Sequence, residues 1–200
     1  MTGLRAIFLD RDGVLNETLW HPRWREWMGP HTAADVRLRP GVAAAIARLR
    51  AATGAPILVA SNQPDVAKAK CAREDLDAAH DRIAALLAEG GGAVDGFYYC
   101  YHHPAGTHPE LGGPCGCRKP APGLLERATE ERGLDLARSW MVGDRETDVE
   151  CGRRAGCRTI LVEYAHTEAS ALRCRPDHVA ADLAAAAEII LSEVNAHANR

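Results

Sequence analysis

Asp10 and Asp12 stand either side of Arg11, directly after the apolar run Ala6 to Leu9, and Gly13 follows them. Alternate side chains of an extended chain share one side, so the two carboxylates are expected to face together as hard oxygen ligands for Mg²⁺. A second acidic pair, Asp144 and Asp148, lies in the segment Gly143-Asp-Arg-Glu-Thr-Asp148. Lys119 offers a point charge suited to a phosphoryl group. Ser61 and the helix start beyond it offer a hydroxyl and backbone N–H donors for phosphate oxygens. Together these groups suit phosphoryl transfer. An aspartate nucleophile divides ester hydrolysis into two steps through an aspartyl-phosphate, and a neighbouring aspartate protonates the leaving alcohol and then activates water. Cations around the equatorial oxygens supply the electrostatic part of the catalysis.

The chain has 7 cysteines, of which Cys100, Cys115 and Cys117 fall close together among histidines. Cys100-Tyr-His102 and Cys115-Gly-Cys117 make two short ligand pairs. One imidazole and three thiolates are a complete set for a tetrahedral structural zinc. The intervening His103 to Pro114 is turn-rich and poor in apolar residues, so it cannot hold a shape by packing, and a metal staple supplies what packing does not. His103 and His108 compete as ligands; His102 is preferred because it pairs with Cys100. The remaining Cys71, Cys151, Cys157 and Cys174 are scattered and are expected to be small buried hydrophobes.

The elements that must position these groups read as short apolar strands alternating with helices. Ala6 to Leu9, Ile57 to Ala60, Phe97 to Cys100, Trp140 to Val142 and Thr159 to Val162 read as strands, and Pro40 to Arg50, Arg73 to Glu89, Pro122 to Arg132, Val149 to Ala155 and Asp182 to Val194 as helices. Cys100 to Pro120 is expected as a long loop, and His197 to Arg200 as a frayed tail. Such alternation implies a parallel sheet covered on both faces. Asp10, Ser61 and Asp144 would then each sit at the carboxyl end of a strand, where open α/β sheets bind ligands.

At 200 residues, 46% hydrophobic and 26% charged, the sequence fits one globular domain spanning residues 1–200. A formal net charge of −3 gives no reason to expect nucleic acid or an anionic membrane as partner. Met1 to Arg5 lack the features of a signal peptide, and no apolar run reaches the ~20 residues needed to cross a bilayer, so the expected location is cytoplasmic.

The strings FLDRDGVLN, ASNQ, RKP and MVGDRETD, in that order across residues 6 to 148, resemble the four motifs of the haloacid-dehalogenase (HAD) superfamily. The resemblance implies a Rossmann-like fold and a Mg²⁺-dependent phosphatase. It makes Asp10 the nucleophile and Asp12 the general acid and base, with Ser61 and Lys119 stabilising the transferring phosphoryl group. Asn62, Gln63 and Arg118 fall to substrate binding. Asp10, Asp12 (through its backbone carbonyl) and Asp144 would hold Mg²⁺, with Asp148 supporting a metal-bound water. The zinc loop running into Arg118-Lys119-Pro120 is similar to the subfamily of heptose 1,7-bisphosphate and histidinol-phosphate phosphatases, in which such a loop replaces a large cap; the spacings here leave no room for a cap.

This resemblance makes a small phosphorylated sugar, first D-glycero-D-manno-heptose 1,7-bisphosphate, the expected substrate of an enzyme that works as a monomer. Histidinol phosphate, a polynucleotide end-phosphate, or a catalytically silent zinc-bearing binding module are the alternatives. Two segments depart from the family pattern. Trp20 to Trp27 is rich in tryptophan and arginine, and forms either a lid with cationic contacts or a set of tryptophans packed on the sheet edge. After Gln63 the family continues Ser-Gly, whereas this chain has Pro64-Asp65, so Asp65 is expected to be neutralised by Lys68 or Lys70.

Overall fold

In the computed structural model, which describes residues 4–164 and 174–198 with side chains to residue 196, a six-stranded parallel sheet runs through the molecule. The elements are β1 (Ile7–Leu9), β2 (Leu19–His21), β3 (Glu26–Met28), α1 (Val42–Thr53), β4 (Ile57–Asn62), α2 (Arg73–Glu89), β5 (Gly96–Cys100), α3 (Gly123–Arg132), β6 (Trp140–Gly143), α4 (Glu146–Ala155), β7 (Arg158–Val162), β8 (His178–Ala180) and α5 (Leu183–Ala198). The sheet order is β5-β4-β1-β6-β7-β8, and β2 and β3 form a separate antiparallel hairpin. From β1 the chain winds outward through β4 to β5, then returns to build β6, β7 and β8 on the other side. That reversal opens a crevice beside the carboxyl ends of β1 and β6.

Alternation along the strands divides the core into two layers. Ile7, Leu9, Ile57, Val59, Val142 and Ile160 point to the face covered by α1, α2 and α5, through residues such as Ile46, Ile83 and Ile190. Ala6, Phe8, Leu58, Ala60 and Met141 point to the opposite face, which α3 and α4 cover with Leu124, Leu125, Ala128 and Cys151. Both faces being buried explains why the strands read as continuous apolar runs. The Asp10 N–H donates to the Val142 carbonyl at 2.9 Å, carrying the β1–β6 ladder one residue beyond the strand and into the crevice.

Several expectations change. The sequence reading missed β8 and the β2–β3 hairpin, each strand of which is only 3 residues long. α2 spans Arg73–Glu89 as expected, while β4 continues to Asn62 and a turn-rich stretch separates Ser61 from the helix start. α4 begins at Glu146, three residues before the expected start, because the Asp148 carboxylate caps it by accepting from the Arg145 N–H at 3.0 Å. α5 runs on through Ala198, past the expected start of the frayed tail; residues 199–200, like Met1 to Gly3, lie outside the described residues. Cys151 and Cys157 are buried as expected, but Cys71 and Cys174 are only partly so. Among the described residues no helix is long and apolar enough to cross a membrane.

Candidate active site and metal centres

Three strand ends, the first turn of a helix and one loop meet at the crevice. Asp10 follows β1, Ser61 and Asn62 close β4, Asp144 follows β6, Asp148 lies in the first turn of α4, and Lys119 comes from the loop between β5 and α3. Asp10, Ser61, Lys119, Asp144 and Asp148 are all buried. The Lys119 ammonium lies 2.9 Å from Asp10 Oδ1 and 2.6 Å from Asp148 Oδ1, and donates to the Ala60 carbonyl at 2.7 Å. Lys119 is therefore held between Asp10 after β1, the Ala60 carbonyl of β4 and Asp148 in the first turn of α4. Burial alone would lower its pKa, but Asp10 and Asp148 outweigh that and raise it, so the charge is locked on.

One oxygen each from Asp10, Asp144 and Asp148 lie within 4.8 Å of one another. Neither oxygen of Asp144 has a hydrogen-bond partner among the described residues, although the side chain is 1% exposed. Burial, with Asp10 and Asp148 beside it, holds the Asp144 carboxyl well above the ordinary carboxylate range. Burial likewise pushes Asp148 up to about 6, against the pull of Lys119. Glycines make the close approaches possible. A Cβ on Gly13, whose φ is +88°, would stand 2.3 Å from Asp144 Oδ2, and one on Gly143 would stand 2.2 Å from the Asp148 Cβ. Buried, converging, unpaired carboxylate oxygens are costly unless a cation joins them, and the oxygen-only donor set fits Mg²⁺.

Asp12 lines the cleft together with Asp10, as alternation along the chain expects. Asp12 is absent from the acidic cluster. Its Oδ1 and Oδ2 accept from Arg11 Nε and Nη2 at 3.0 Å each, with Asn16 at 2.9 Å and Gln63 at 2.7 Å completing the shell. Burial raises this carboxyl, and the Arg11 guanidinium more than offsets it, leaving the pKa lowered. Arg11 is 1% exposed, and the sequence reading assigned it no role; its signal was only its place between two catalytic candidates. Gly29 also packs against this group, since a Cβ there would be 2.6 Å from both Asp12 oxygens.

Asn62 and Gln63 line the cleft, but their amides are already engaged. Asn62 Nδ2 donates to the Lys119 carbonyl and its Oδ1 accepts from the Lys119 N–H, both at 3.0 Å, so Asn62 clamps the loop that carries the lysine. Gln63 Nε2 bridges Asp12 and Ser61 Oγ, at 2.7 and 3.1 Å. Above the acidic floor the cleft, about 210 Å³, is lined by Lys68, Arg118 and Arg145 together with Glu26, Trp27, Met28 and Asp65. Arg118 is aimed by a 3.3 Å hydrogen bond to the His102 carbonyl, which couples it to the cysteine loop.

Neither alternative for the tryptophan segment holds in its expected form. Trp20 and Trp27 face each other across the hairpin with ring centroids 5.9 Å apart, and at 48% and 43% exposure they do not pack on the sheet edge. Arg23 stacks its guanidinium over Trp24 at 4.8 Å, and neither Arg23 nor Arg25 lines the cleft. The segment instead presents Trp27 and Met28 to the cleft. Lys70 is spent on Glu26, at 2.6 Å, and the direct partner of Asp65 is His31, at 3.0 Å, while Lys68 meets Asp65 only through the attraction between their charges. His31 sits 34 residues before Asp65, and no local pattern links the two.

The cysteine loop closes on itself. Cys100, His102, Cys115 and Cys117 bring their ligand atoms together, with sulfur–sulfur distances of 3.1, 3.5 and 3.6 Å and His102 Nδ1 at 3.5 and 3.9 Å from two of the sulfurs. A tetrahedron with Zn–S bonds of ~2.3 Å has edges of roughly 3.8 Å, so this set fits a zinc ion. His103 and His108 do not compete for it, because their Nδ1 atoms accept from the Ala105 and Glu110 N–H groups.

A family model described as HAD-hydrolase-like matches residues 116–186. The chain is 40% identical over 207 residues to a D-glycero-D-manno-heptose-1,7-bisphosphate 7-phosphatase of Thermosynechococcus vestitus, covering 94% of this chain and 96% of that one. It is 36% identical to a protein of the same description from Chlorobaculum tepidum, covering 92% of each. The D,D-heptose 1,7-bisphosphate phosphatase of B. bronchiseptica, crystallised with magnesium and phosphate, superposes with a TM-score of 0.81 at 32% identity, over 95% of this chain and 99% of that one.

Proposed function

Because the chain belongs to the D-glycero-D-manno-heptose-1,7-bisphosphate 7-phosphatase family of HAD-like hydrolases, we propose that it hydrolyses one phosphomonoester of a heptose bisphosphate through an aspartyl-phosphate. The observation that carries the reading is the placement of Lys119. One buried ammonium reaches both Asp10 and Asp148, while Asp144 beside them keeps both oxygens unpaired. Such a site holds a nucleophilic carboxylate, a fixed positive charge and a set of oxygen ligands suited to Mg²⁺ within one crevice.

In the first step an Asp10 oxygen attacks phosphorus, an Asp10–phosphorus bond forms and the phosphorus–alkoxide bond breaks. The leaving oxygen takes a proton from the protonated form of Asp12, the minor form beside Arg11. In the second step Asp12 accepts a proton from water, whose oxygen attacks phosphorus; the Asp10–phosphorus bond breaks and inorganic phosphate leaves. Lys119 and Ser61 bind the transferring oxygens, and Gln63, bridging Ser61 and Asp12, keeps acid and phosphate site in register. Asp10, Asp144 and the backbone carbonyl of Asp12 would hold Mg²⁺, which when bound supplies charge to offset the phosphoryl oxygens. Asp148 orients Lys119 and caps α4. Asn62 acts through the lysine loop rather than on substrate.

Lys68, Arg118 and Arg145 on the cleft wall give a bisphosphate cations for the phosphate that is not cleaved. Zinc at the cysteine loop would set the position of Arg118 through the His102 carbonyl. The test is phosphate release across sugar mono- and bisphosphates in both anomers, histidinol phosphate and 3′-phosphorylated oligonucleotides. A preference for heptose 1,7-bisphosphate of about 100-fold in kcat/KM, near 2.7 kcal/mol, is expected. A flat profile over the panel would refute the substrate assignment.

A further inference from the structure

Asp65 has no part in the phosphoryl chemistry, and a carboxylate lining a cleft that receives phosphate is an electrostatic liability. It is nevertheless built in with care. Asp65 is 8% exposed, and its Oδ2 meets Nε2 of His31, itself 9% exposed, at 3.0 Å. His31 stacks in turn on His21 of β2, with ring centroids 4.4 Å apart. The Asp65 carbonyl accepts from the Lys70 N–H at 2.8 Å, which fixes the backbone as well. Among the described residues no donor meets Asp65 Oδ1. An aligned, largely desolvated carboxylate oxygen with free lone pairs is an acceptor for O–H groups. The same cleft carries the apolar surfaces of Trp27 and Met28, suited to the C–H face of a sugar, and separate cations suited to phosphate.

We propose that Asp65, oriented by His31, accepts hydrogen bonds from hydroxyl groups of the sugar and selects polyhydroxylated phosphate esters over simpler ones. Asp65 is then a specificity-determining residue and His31 its positioning residue. This rests on the sugar-phosphate reading above, so the experiment separates the two. Wild type, Asp65→Ala, Asp65→Asn and His31→Gln, each with zinc content and Tm checked, are assayed with heptose 1,7-bisphosphate and with p-nitrophenyl phosphate, whose leaving group has no second hydroxyl.

A hydrogen bond to a charged group is worth about 1.5–3 kcal/mol, so Asp65→Ala should lower kcat/KM for the bisphosphate by about 10- to 150-fold. Turnover of p-nitrophenyl phosphate should stay within about twofold of wild type, an effect below ~0.5 kcal/mol. Asp65→Asn keeps one acceptor oxygen and should recover part of the loss; His31→Gln should show a smaller loss of the same selectivity. Equal losses on both esters, no loss on either, or a gain on both from removing a charge adverse to phosphate would overturn the proposal alone. A wild-type enzyme with no preference for the bisphosphate over p-nitrophenyl phosphate would overturn the sugar-phosphate reading and this proposal with it.

Discussion

Replacing Asp144 by asparagine should stabilise the metal-free protein and at the same time remove its response to Mg²⁺. Ligand oxygens of Asp10, Asp144 and Asp148 lie within 4.8 Å of one another. At an effective dielectric of about 20, two like unit charges at that separation repel by roughly 3.5 kcal/mol. Asp144 faces two such neighbours, whereas Lys119 contacts the other two carboxylates. Proton uptake limits the cost, in keeping with the raised Asp144 pKa. Allowing for both offsets, the asparagine, similar in shape and uncharged, should gain about 1–3 kcal/mol at pH 8. For a chain of this size that is roughly 2–12 °C in Tm. Mg²⁺ at 100 times its Kd should add ~2.7 kcal/mol to wild type, about 5–11 °C, and nothing to the variant.

The assay is thermal unfolding after dialysis that leaves zinc in place, with and without a Mg²⁺ titration. The sign of the pH dependence follows from the raised pKa. The wild-type carboxyl is more easily protonated folded than unfolded, so its destabilising effect fades as pH falls and the gap between the two proteins should narrow towards pH 5. A metal-free variant less stable than wild type, or one that keeps the Mg²⁺ shift, would refute the reasoning.

Asp10→Asn should abolish turnover while leaving the fold and zinc content intact, checked by phosphate release, circular dichroism and metal analysis; activity close to wild type would remove Asp10 as nucleophile. Purified protein should carry about one zinc per chain through dialysis, and Cys117→Ser should lose it with a drop in Tm of at least about 6 °C, or ~3 kcal/mol; a folded, zinc-free wild type would count against the loop assignment. Gly29→Ala puts a methyl group 2.6 Å from both Asp12 oxygens, and displacing that carboxylate by about 1 Å should cost roughly 100-fold in kcat, with circular dichroism unchanged; unaltered turnover would show that the position of Asp12 tolerates the shift.

Asp10, Ser61 and Asp144 were legible because each stands at the end of a strand that is buried on both faces. A continuous apolar run ending in Asp10, Ser61 or Asp144 marks both the strand and its carboxyl end, and a parallel sheet brings those ends together whatever the intervening lengths. The cysteine loop was legible for a similar reason: ligand pairs one residue apart carry their own geometry. Short or exposed elements left no such trace. β2, β3 and β8 have 3 residues each, too few for alternation to show, and two of the three hairpin tryptophans are nearly half exposed.

What only the tertiary structure decided is how the polar side chains are shared out. Sequence spacing put Asp12 alongside Asp10, and the family resemblance put Asn62 and Gln63 on substrate. Folding places all four along the cleft and adds partners that neither revealed: Arg11 for Asp12, the Lys119 loop for Asn62, the bridge between Asp12 and Ser61 for Gln63, and His31 for Asp65. A buried polar group must find a partner, and the partner it finds is whichever donor or acceptor the packed elements place within about 3 Å. The sequence alone therefore determined which strand ends carry the acidic and hydroxyl groups, because burial along a strand is written in consecutive residues. How those groups pair with one another is set by three-dimensional proximity, which no local pattern encodes.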